Sequence, residues 1–297
     1  MAIKLNPEFP EAYYNRGNAL GSKGDLDAAI KDYTKAIELG PNPGMLAGVY
    51  SNRGVVHKRK GNIDAAIRDY SAAIKLNPRL SDAYYNRGNA YSAKNQYDKA
   101  LADMEACQQL GGKVNTTVYL KVALFSFEEG RHEKAISAFK KAAAIEPNCV
   151  EAYLGMGLAY DELGQYSESL SAYKKAIVLK PDCVAAYYSM GNACGRLGRY
   201  TDAISACKKG IGVSLKPDSI APYITMSYAY GKLGQHAEAI AACKMAIAIK
   251  TDCADAYFNL GAGYTMFKKD SLAITAYKKA IALEPTGKRA DNAREAI

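Results

Sequence analysis

The chain has 297 residues, of which 49% are hydrophobic and 23% are charged, a balance that excludes a disordered protein. Its formal net charge of +9 is spread along the chain without a basic tail, which argues against nucleic acid as a partner. Apolar runs are short and interrupted by charge, and the N-terminus MAIKLNPEFP has no apolar core, so we expect no membrane span and no secretory leader.

A repeated octapeptide sets the organisation of the chain. AYYNRGNA occurs at residues 12–19 and 83–90, and AYYSMGNA occurs at residues 186–193. A period of 34 residues explains both separations if extra residues lie in loops, for which Gly40–Gly44 and Leu110–Gly112 are suitable. We expect the tail of a preceding repeat helix at residues 1–9, eight repeats, and a C-terminal capping helix at residues 288–297. The repeats span residues 10–43, 47–80, 81–114, 116–149, 150–183, 184–217, 220–253 and 254–287.

Each repeat is predicted to form a helix–turn–helix hairpin. Apolar residues recur at helical spacing in two blocks, glycines such as Gly24 separate the blocks, and prolines such as Pro78 close most repeats. The fourth position is always tyrosine, and the eighth and twentieth positions are small, as in Gly17 and Ala29. We expect these small residues to face each other where the two helices come closest.

The pattern resembles the tetratricopeptide repeat over essentially the whole chain. The resemblance implies an all-α fold, a right-handed α-solenoid of stacked hairpins whose first helices line a concave groove. Three positions depart from the family pattern: Gly112 stands where proline is expected, Ala123 replaces glycine, and Gly210 lies inside a helix. We therefore expect the weakest joints at Gly111–Asn115 and Gly210–Lys216.

By this resemblance, six positions of each first helix point into the groove. In the first three repeats they carry asparagine amides flanked by tyrosines. These residues are Tyr14, Asn15, Asn18, Asn52, Tyr85, Asn86 and Asn89. Each amide can donate to and accept from one peptide unit, so the row predicts an extended peptide held by its main chain. The alternative is that the asparagines are solvated or bond to neighbouring helices.

The same positions in the later repeats are more apolar. The residues concerned are Leu120, Leu124, Phe127, Leu154, Leu158, Tyr188, Asn192, Ile224, Tyr228, Phe258 and Met266. An exposed stripe of this kind indicates a partner helix or a hydrophobic peptide as ligand. The alternative is that many of these side chains pack between adjacent first helices.

Two further features of the first helices bear on the kind of ligand. Position 5 carries no lysine in any repeat, which rules out the carboxylate clamp with which some relatives bind acidic tails. Arg16, Arg53 and Arg87 recur at position 7, where the family usually has an apolar residue. We interpret them as structural, with their stems packed and their heads near acids, or alternatively as a guanidinium row for an anionic ligand.

Catalysis has no candidate residues. His57, His132 and His236 lie at interior positions without a nucleophile at a recognisable spacing, and no phosphate-binding glycine motif is present. Seven cysteines without a CxxC pair predict reduced cytoplasmic thiols rather than a disulfide framework or a zinc site. We therefore predict no cofactor and no enzyme activity.

The predicted function is a protein-interaction scaffold that binds a peptide or protein segment in its groove. Two alternatives remain open. The asparagine row resembles the substrate-recruiting arm of the O-linked N-acetylglucosamine transferases, which would make the chain an arm of a larger enzyme. A homo-oligomer through open repeat ends is the second alternative.

Overall fold

The computed structural model describes residue 3, residues 6–214 and residues 218–297, and over these ranges it contains seventeen main helices and no strand. The first eight helices are α1 (Pro10–Lys23), α2 (Leu26–Glu38), α3 (Pro43–Arg59), α4 (Ile63–Leu76), α5 (Ser81–Ala93), α6 (Tyr97–Gln109), α7 (Thr116–Glu128) and α8 (His132–Ile145). The others are α9 (Val150–Glu162), α10 (Tyr166–Leu179), α11 (Val184–Arg196), α12 (Tyr200–Val213), α13 (Ala221–Lys232), α14 (His236–Ile249), α15 (Ala254–Met266), α16 (Asp270–Leu283) and α17 (Lys288–Glu295).

Consecutive helices pair into eight hairpins, from α1–α2 to α15–α16. The chain divides into two compact units, Met1–Pro147 and Asn148–Ile297, here called unit 1 and unit 2. Within each unit the second helix of a hairpin packs against the first helix of the next hairpin. The predicted all-α class and the stack of helix–turn–helix repeats are thus confirmed. No helix in the described ranges combines the length and the apolar character needed to cross a membrane.

The turn inside each hairpin depends on one residue with positive φ. Glycine fills this place in six hairpins, as at Gly24 (φ 90°) and Gly61 (φ 84°), because it has no Cβ to clash in the left-handed region. Asn95 (φ 58°) and Lys268 (φ 51°) adopt the same conformation in the other two. The reversal sets the two helices side by side.

Close approach of the two helices explains the small residue at position 8. A Cβ on Gly54 would lie 2.7 Å from Cε1 of Tyr70, and one on Gly157 would lie 2.3 Å from Cε1 of Tyr173. Both tyrosines are fully buried, so neither ring has room to move. The aromatic ring in the second helix therefore occupies the space that glycine leaves in the first.

Helix α3 begins earlier than the sequence indicated. The segment Gly40–Gly44 was expected to be a loop, but α3 starts at Pro43, four residues before the predicted repeat boundary at residue 47. Oδ1 of Asn42 accepts a hydrogen bond from the amide N of Met45 at 3.0 Å, and proline suits the first helical position. Asparagine and proline here start a helix instead of extending a loop.

The two predicted weak joints involve glycines that are tightly enclosed. A Cβ on Gly112 would lie 2.5 Å from Sγ of Cys107, and a Cβ on Gly210 would lie 2.5 Å from Cε1 of Tyr188. Both positions thus require glycine for packing. Residues 215–217 of the second joint lie outside the described residues, as do residues 1, 2, 4 and 5 of the tail predicted at residues 1–9.

The predicted capping region contains α17. Its Ala290 and Ala293 are buried, and Ala293 packs with Ala273 and Tyr277 of α16. The remaining side chains of this short helix are exposed and polar. An amphipathic helix of this kind covers the apolar side of the last hairpin.

Candidate peptide-binding surfaces

The position-7 arginines of unit 1 are held inside their own hairpins. Nε and Nη2 of Arg53 each lie 2.8 Å from a carboxylate oxygen of Asp69, and Arg87 binds Asp103 with the same two distances. Arg16 pairs with Asp32 in the same way. The hydrogen bond to Asp69 raises the pKa of the Arg53 guanidinium. The structural interpretation of these arginines therefore fits the geometry.

A second set of contacts joins neighbouring hairpins of unit 1. Nη1 of Arg53 donates to Oγ1 of Thr34 in the preceding hairpin at 3.0 Å, and Nη1 of Arg87 donates to Oγ of Ser71 at 3.0 Å. Lysines at the end of the first helices add ion pairs to aspartates of the preceding second helix. These pairs are Lys60–Asp27 and Lys94–Asp64.

Part of the asparagine row is already hydrogen-bonded within the stack. Nδ2 of Asn52 donates to Oδ1 of Asn18 at 2.8 Å and to the hydroxyl of Tyr14 at 3.1 Å. Oδ1 of Asn18 also accepts from the hydroxyl of Tyr33 at 2.8 Å. The alternative that asparagines bond to neighbouring helices is thus realised at Asn18 and Asn52. Nδ2 of Asn18 and Oδ1 of Asn52 take no part in these hydrogen bonds.

The other residues of the row divide into bonded and open side chains. Nδ2 of Asn89 donates to the carbonyl oxygen of Tyr85 in its own helix at 2.8 Å, and the Tyr85 hydroxyl accepts from Asn115 at 2.7 Å. Asn15 is exposed and Asn86 is half-buried, and neither has a hydrogen-bond partner among the described residues. The two open amides lie in the first and third hairpins.

The apolar residues predicted for the groove differ in exposure. Leu124 in unit 1 is 54% exposed, whereas Leu120 is half-buried. In unit 2, Leu154 packs against the main core cluster, and Tyr188 lies over Gly210 of its own hairpin. Leu158 is 38% exposed. Packing within unit 2 therefore explains the position of the Leu154 side chain and of much of the Tyr188 side chain.

The last three hairpins of unit 2 bring the other predicted residues together. A cavity of about 650 Å³ is lined by Asn192 of α11, Tyr228 of α13 and Phe258 of α15. A second cavity of about 250 Å³ shares Tyr228 and Phe258 and adds Met266. Tyr228 is 47% exposed and Met266 is 64% exposed, so their apolar surface faces solvent. We call this surface the unit 2 groove.

Polar and charged groups frame the unit 2 groove. Arg196 lines the larger cavity and forms no ion pair among the described residues. Nζ of Lys232 lies 5.5 Å from the centre of the Tyr228 ring, a cation–π arrangement. Nδ2 of Asn259 donates to Oγ of Ser227 at 2.8 Å, which leaves Oδ1 of Asn259 unbonded within the described part of the chain. The groove thus combines aromatic surface with two cations.

An acidic group lies at one edge of this groove. Asp255 is paired with Arg289 of α17, and Arg289 also binds Glu284 at 3.0 Å. One arginine is thus shared by two carboxylates, so this cluster keeps a formal charge of −1. Arg196 and Lys232 are the cations of the groove that form no ion pair among the described residues.

Only part of this site is evident from the sequence. Arg196 and Lys232 occupy position 13 of their repeats, and Asn259 occupies position 6. All three lie at groove-facing positions of the repeat, so the 34-residue period indicates them as residues of the site. Arg289 lies beyond the last repeat, and no repeat position indicates that α17 reaches the groove.

Comparison with known families identifies the fold. A family model described as the cilia and flagella-associated protein 70 C-terminal domain matches residues 77–295, about three quarters of the chain. Two tetratricopeptide repeat models match residues 10–43 and 58–95. The chain belongs to this tetratricopeptide repeat family. No curated protein compared with the sequence matches it significantly.

Solved structures with a similar fold are tetratricopeptide repeat proteins. The crystal structure of MamA is 29% identical with a TM-score of 0.53, and covers 57% of this chain and 92% of its own. YrrB, described as a repeat protein with an unusual peptide-binding site, is 23% identical with a TM-score of 0.50, covering 64% and 95%. The C-terminal part of a repeat protein from Cytophaga hutchinsonii is 18% identical with a TM-score of 0.59, covering 81% and 97%.

Proposed function

We propose that this tetratricopeptide repeat stack is a protein-interaction scaffold and that the unit 2 groove binds a peptide segment. The ligand is a short stretch that carries an aromatic or aliphatic side chain and an acidic residue. The apolar side chain packs between Tyr228 and Phe258, while the acidic residue meets Arg196 or Lys232. We place this activity in the reducing cytoplasm, which suits a chain in which no disulfide joins any of the seven cysteines, all of them in the described ranges.

The observation that carries the proposal is the exposure of Tyr228 beside an unpaired arginine. The Tyr228 ring is 47% exposed, and Arg196 forms no ion pair among the described residues, although its charge acts on the Asp161 carboxylate at longer range. A peptide that carries an apolar side chain and a carboxylate shields the Tyr228 ring from water and gives Arg196 an ion-pair partner. Tyrosine and arginine are also the side chains that most often carry the binding energy of an interface.

The neighbouring contacts support a groove of fixed shape. The rings of Tyr200 and Tyr228 lie 6.1 Å apart at an interplanar angle of 74°, and the Phe258 ring packs at 5.7 Å from that of Tyr277. Ser227 anchors Asn259 from the adjacent hairpin. A pre-formed site loses less conformational entropy when a peptide binds.

The experiment is a selection from a random dodecamer phage library on the immobilised full chain. We expect enriched peptides to share an aromatic or aliphatic residue near an aspartate or glutamate, and to bind the Tyr228→Ala and Arg196→Ala variants at least about tenfold more weakly. Far-UV circular dichroism checks that both variants fold. Enriched peptides without acidic residues, or equal affinity for both variants, would overturn the proposal.

A further inference from the structure

The second helices of unit 2 carry lysine at the same two repeat positions. Positions 25 and 26 hold lysine in every case but one, where Met245 takes its place. The lysines are Lys174 and Lys175 of α10, Lys208 and Lys209 of α12, Lys244 of α14, and Lys278 and Lys279 of α16. All of them are exposed, and none forms an ion pair among the described residues.

The surface around these lysines is small and uncharged. Positions 18, 22, 25, 26 and 29 lie on one side of each helix, because they are spaced by three or four residues. We call these five positions of α10, α12, α14 and α16 the lysine face. Besides the lysines it holds serine, threonine, alanine, glycine, Val178 and Met245, all exposed, and no carboxylate.

The acids of the same four helices lie near the helix starts. Glu168, Asp202 and Glu238 occupy position 19, and Asp270 occupies position 17. The rise of the helix places position 19 about 9 Å or more along the axis from the lysine positions. Asp202 is also paired with Arg199. The lysine charges are therefore not neutralised by neighbouring acids on their own helices.

The same five positions in unit 1 carry a balanced charge. Acids and bases occur there in equal number. The acids are Asp27, Glu38, Asp64, Asp98, Glu105 and Glu133, and the bases are Lys31, Lys35, Arg68, Lys75, Lys140 and Lys141. The repeat fold is thus compatible with a neutral surface at these positions. The packing of the hairpins therefore does not require the lysines of unit 2.

Contacts in unit 1 show which positions of consecutive second helices meet. Lys141, at position 26 of α8, forms an ion pair with Glu105, at position 25 of α6. The equivalent positions of unit 2 hold lysine on both sides at two junctions, as Lys174 with Lys209 and as Lys244 with Lys279. Like charges at neighbouring positions repel each other. An external anionic surface would relieve this repulsion.

The helix dipole does not account for the lysines. Cations stabilise a helix mainly within its last turn, but no basic residue lies in the last turn of α10, α12, α14 or α16. Two lysines contact aromatic rings: Nζ of Lys175 lies 6.0 Å from the centre of the Tyr153 ring, and Nζ of Lys208 lies 5.8 Å from that of Tyr230. These contacts leave the positive charge without a counterion.

We infer that the lysine face binds the surface of an anionic lipid bilayer. Lysine ammonium groups attract anionic headgroups without a fixed geometry. Arginine, whose planar fork suits protein and nucleic-acid partners, is absent from the face. Val178 is 73% exposed and Met245 is 50% exposed, and both would gain from contact with the headgroup region. No residue of the lysine face lines the cavities of the unit 2 groove, so the inference does not depend on that groove.

The test is flotation of the full chain with phosphatidylcholine vesicles that contain about 30 mol% phosphatidylserine. We expect the chain to float with these vesicles at about 0.05 M salt, to dissociate at about 0.5 M salt, and to leave pure phosphatidylcholine vesicles unbound. The variant that combines Lys174→Gln, Lys209→Gln, Lys244→Gln and Lys279→Gln should bind at least about tenfold more weakly.

A matched variant separates this face from the net charge of the chain. It replaces four exposed cations of unit 1, as Lys75→Gln, Arg79→Gln, Lys113→Gln and Lys121→Gln, and should bind vesicles like the natural chain. Far-UV circular dichroism and urea unfolding check that both variants fold. No binding to the anionic vesicles, unchanged binding of the lysine variant, or an equal loss in both variants would overturn the inference.

A third variant distinguishes a bilayer from a soluble polyanion. Val178→Gln with Met245→Gln keeps the charge of the face, and we expect it to weaken vesicle binding at least about threefold, because only a bilayer offers an apolar interface. Poly-glutamate and a DNA duplex serve as competitors at an equal concentration of anionic groups. Vesicle binding that is unchanged in this variant and abolished by either competitor would assign the face to another polyanion and overturn the inference.

Discussion

Arg53 and Asp69 bridge the two helices of the second hairpin through two parallel hydrogen bonds of 2.8 Å each. The side chain of Asp69 is 7% exposed and that of Arg53 is 18% exposed, so the pair is largely removed from water. The Tyr50 ring lies 5.5 Å below the guanidinium, and Thr34 of the preceding hairpin takes its third donor group. One arginine thus ties together two helices of its own hairpin and one of its neighbour.

Loss of the Asp69 charge should destabilise the stack. We expect Asp69→Asn to lower the free energy of unfolding by about 2–3 kcal/mol, because the Arg53 guanidinium is left buried without its carboxylate. The equivalent Asp32→Asn substitution should cost less than half as much, since Arg16 is 52% exposed and water can solvate it. Urea unfolding of both variants measures the difference. Equal losses would contradict the role given to burial.

The glycine at position 8 should not tolerate a methyl group. We expect Gly157→Ala to lower the free energy of unfolding by about 1–3 kcal/mol, because the new Cβ would lie 2.3 Å from the Tyr173 ring. Gly195→Ala is the control, since it lies in α11 with no atom within 4 Å of its added Cβ. This control should be neutral or should gain up to about 1 kcal/mol. A neutral Gly157→Ala variant would show that Tyr173 moves freely.

Acid should weaken unit 1 through His57. Burial lowers the pKa of His57 from its ordinary value of about 6.5, against the opposing effect of Asp69 at 3.8 Å, while Arg53, Arg68 and Lys60 lower it further. The unfolded chain then binds more protons than the folded chain. The stability associated with a neutral His57 is therefore complete above about pH 6.5 and is lost as the pH falls through the folded pKa.

The measurement compares urea midpoints of the natural chain and the His57→Gln variant at about pH 7.5 and about pH 5. The natural chain should lose more stability on acidification than the variant, because only the natural chain gains a buried imidazolium. The same drop in both proteins would assign the acid sensitivity to other groups.

Cysteine reactivity should follow burial. Burial raises the pKa of the Cys207 thiol to about 12 and that of Cys243 to about 11, so both stay protonated and unreactive. Cys183 is the only one of the seven cysteines that is not buried. We expect iodoacetamide to modify Cys183 first at about pH 8, and the others only after unfolding in urea. Early modification of Cys207, read by peptide mass, would contradict the packing of α12.

The repeats were predictable from the sequence because each hairpin requires the same residue types at the same repeat positions. Tyrosine at position 4, glycine at position 8 and a positive-φ residue in the turn recur with the period, and all have a packing or backbone cause. The start of α3 was misjudged because the cap formed by Asn42 and Pro43 is a local signal that the 34-residue period does not contain.

The candidate site was only partly visible in the sequence. The period places Tyr228 and Phe258 on groove-facing positions, but it does not show that Leu154 is packed in the core or that Asn18 and Asn52 bond to each other. Such outcomes depend on side-chain distances across neighbouring hairpins. Arg289 reaches the groove from α17, outside the repeats, and only the three-dimensional structure reveals this contact.

The most direct test of the scaffold account measures the affinity of one library-selected peptide by fluorescence anisotropy. The variants are Tyr228→Ala in the unit 2 groove and Met245→Ala, an exposed apolar residue on α14 that does not line the groove cavities. We expect Tyr228→Ala to weaken binding at least about tenfold and Met245→Ala to leave it unchanged. Unchanged affinity with Tyr228→Ala would contradict the account and place the peptide on another surface, of which the open amides of Asn15 and Asn86 are the first to test.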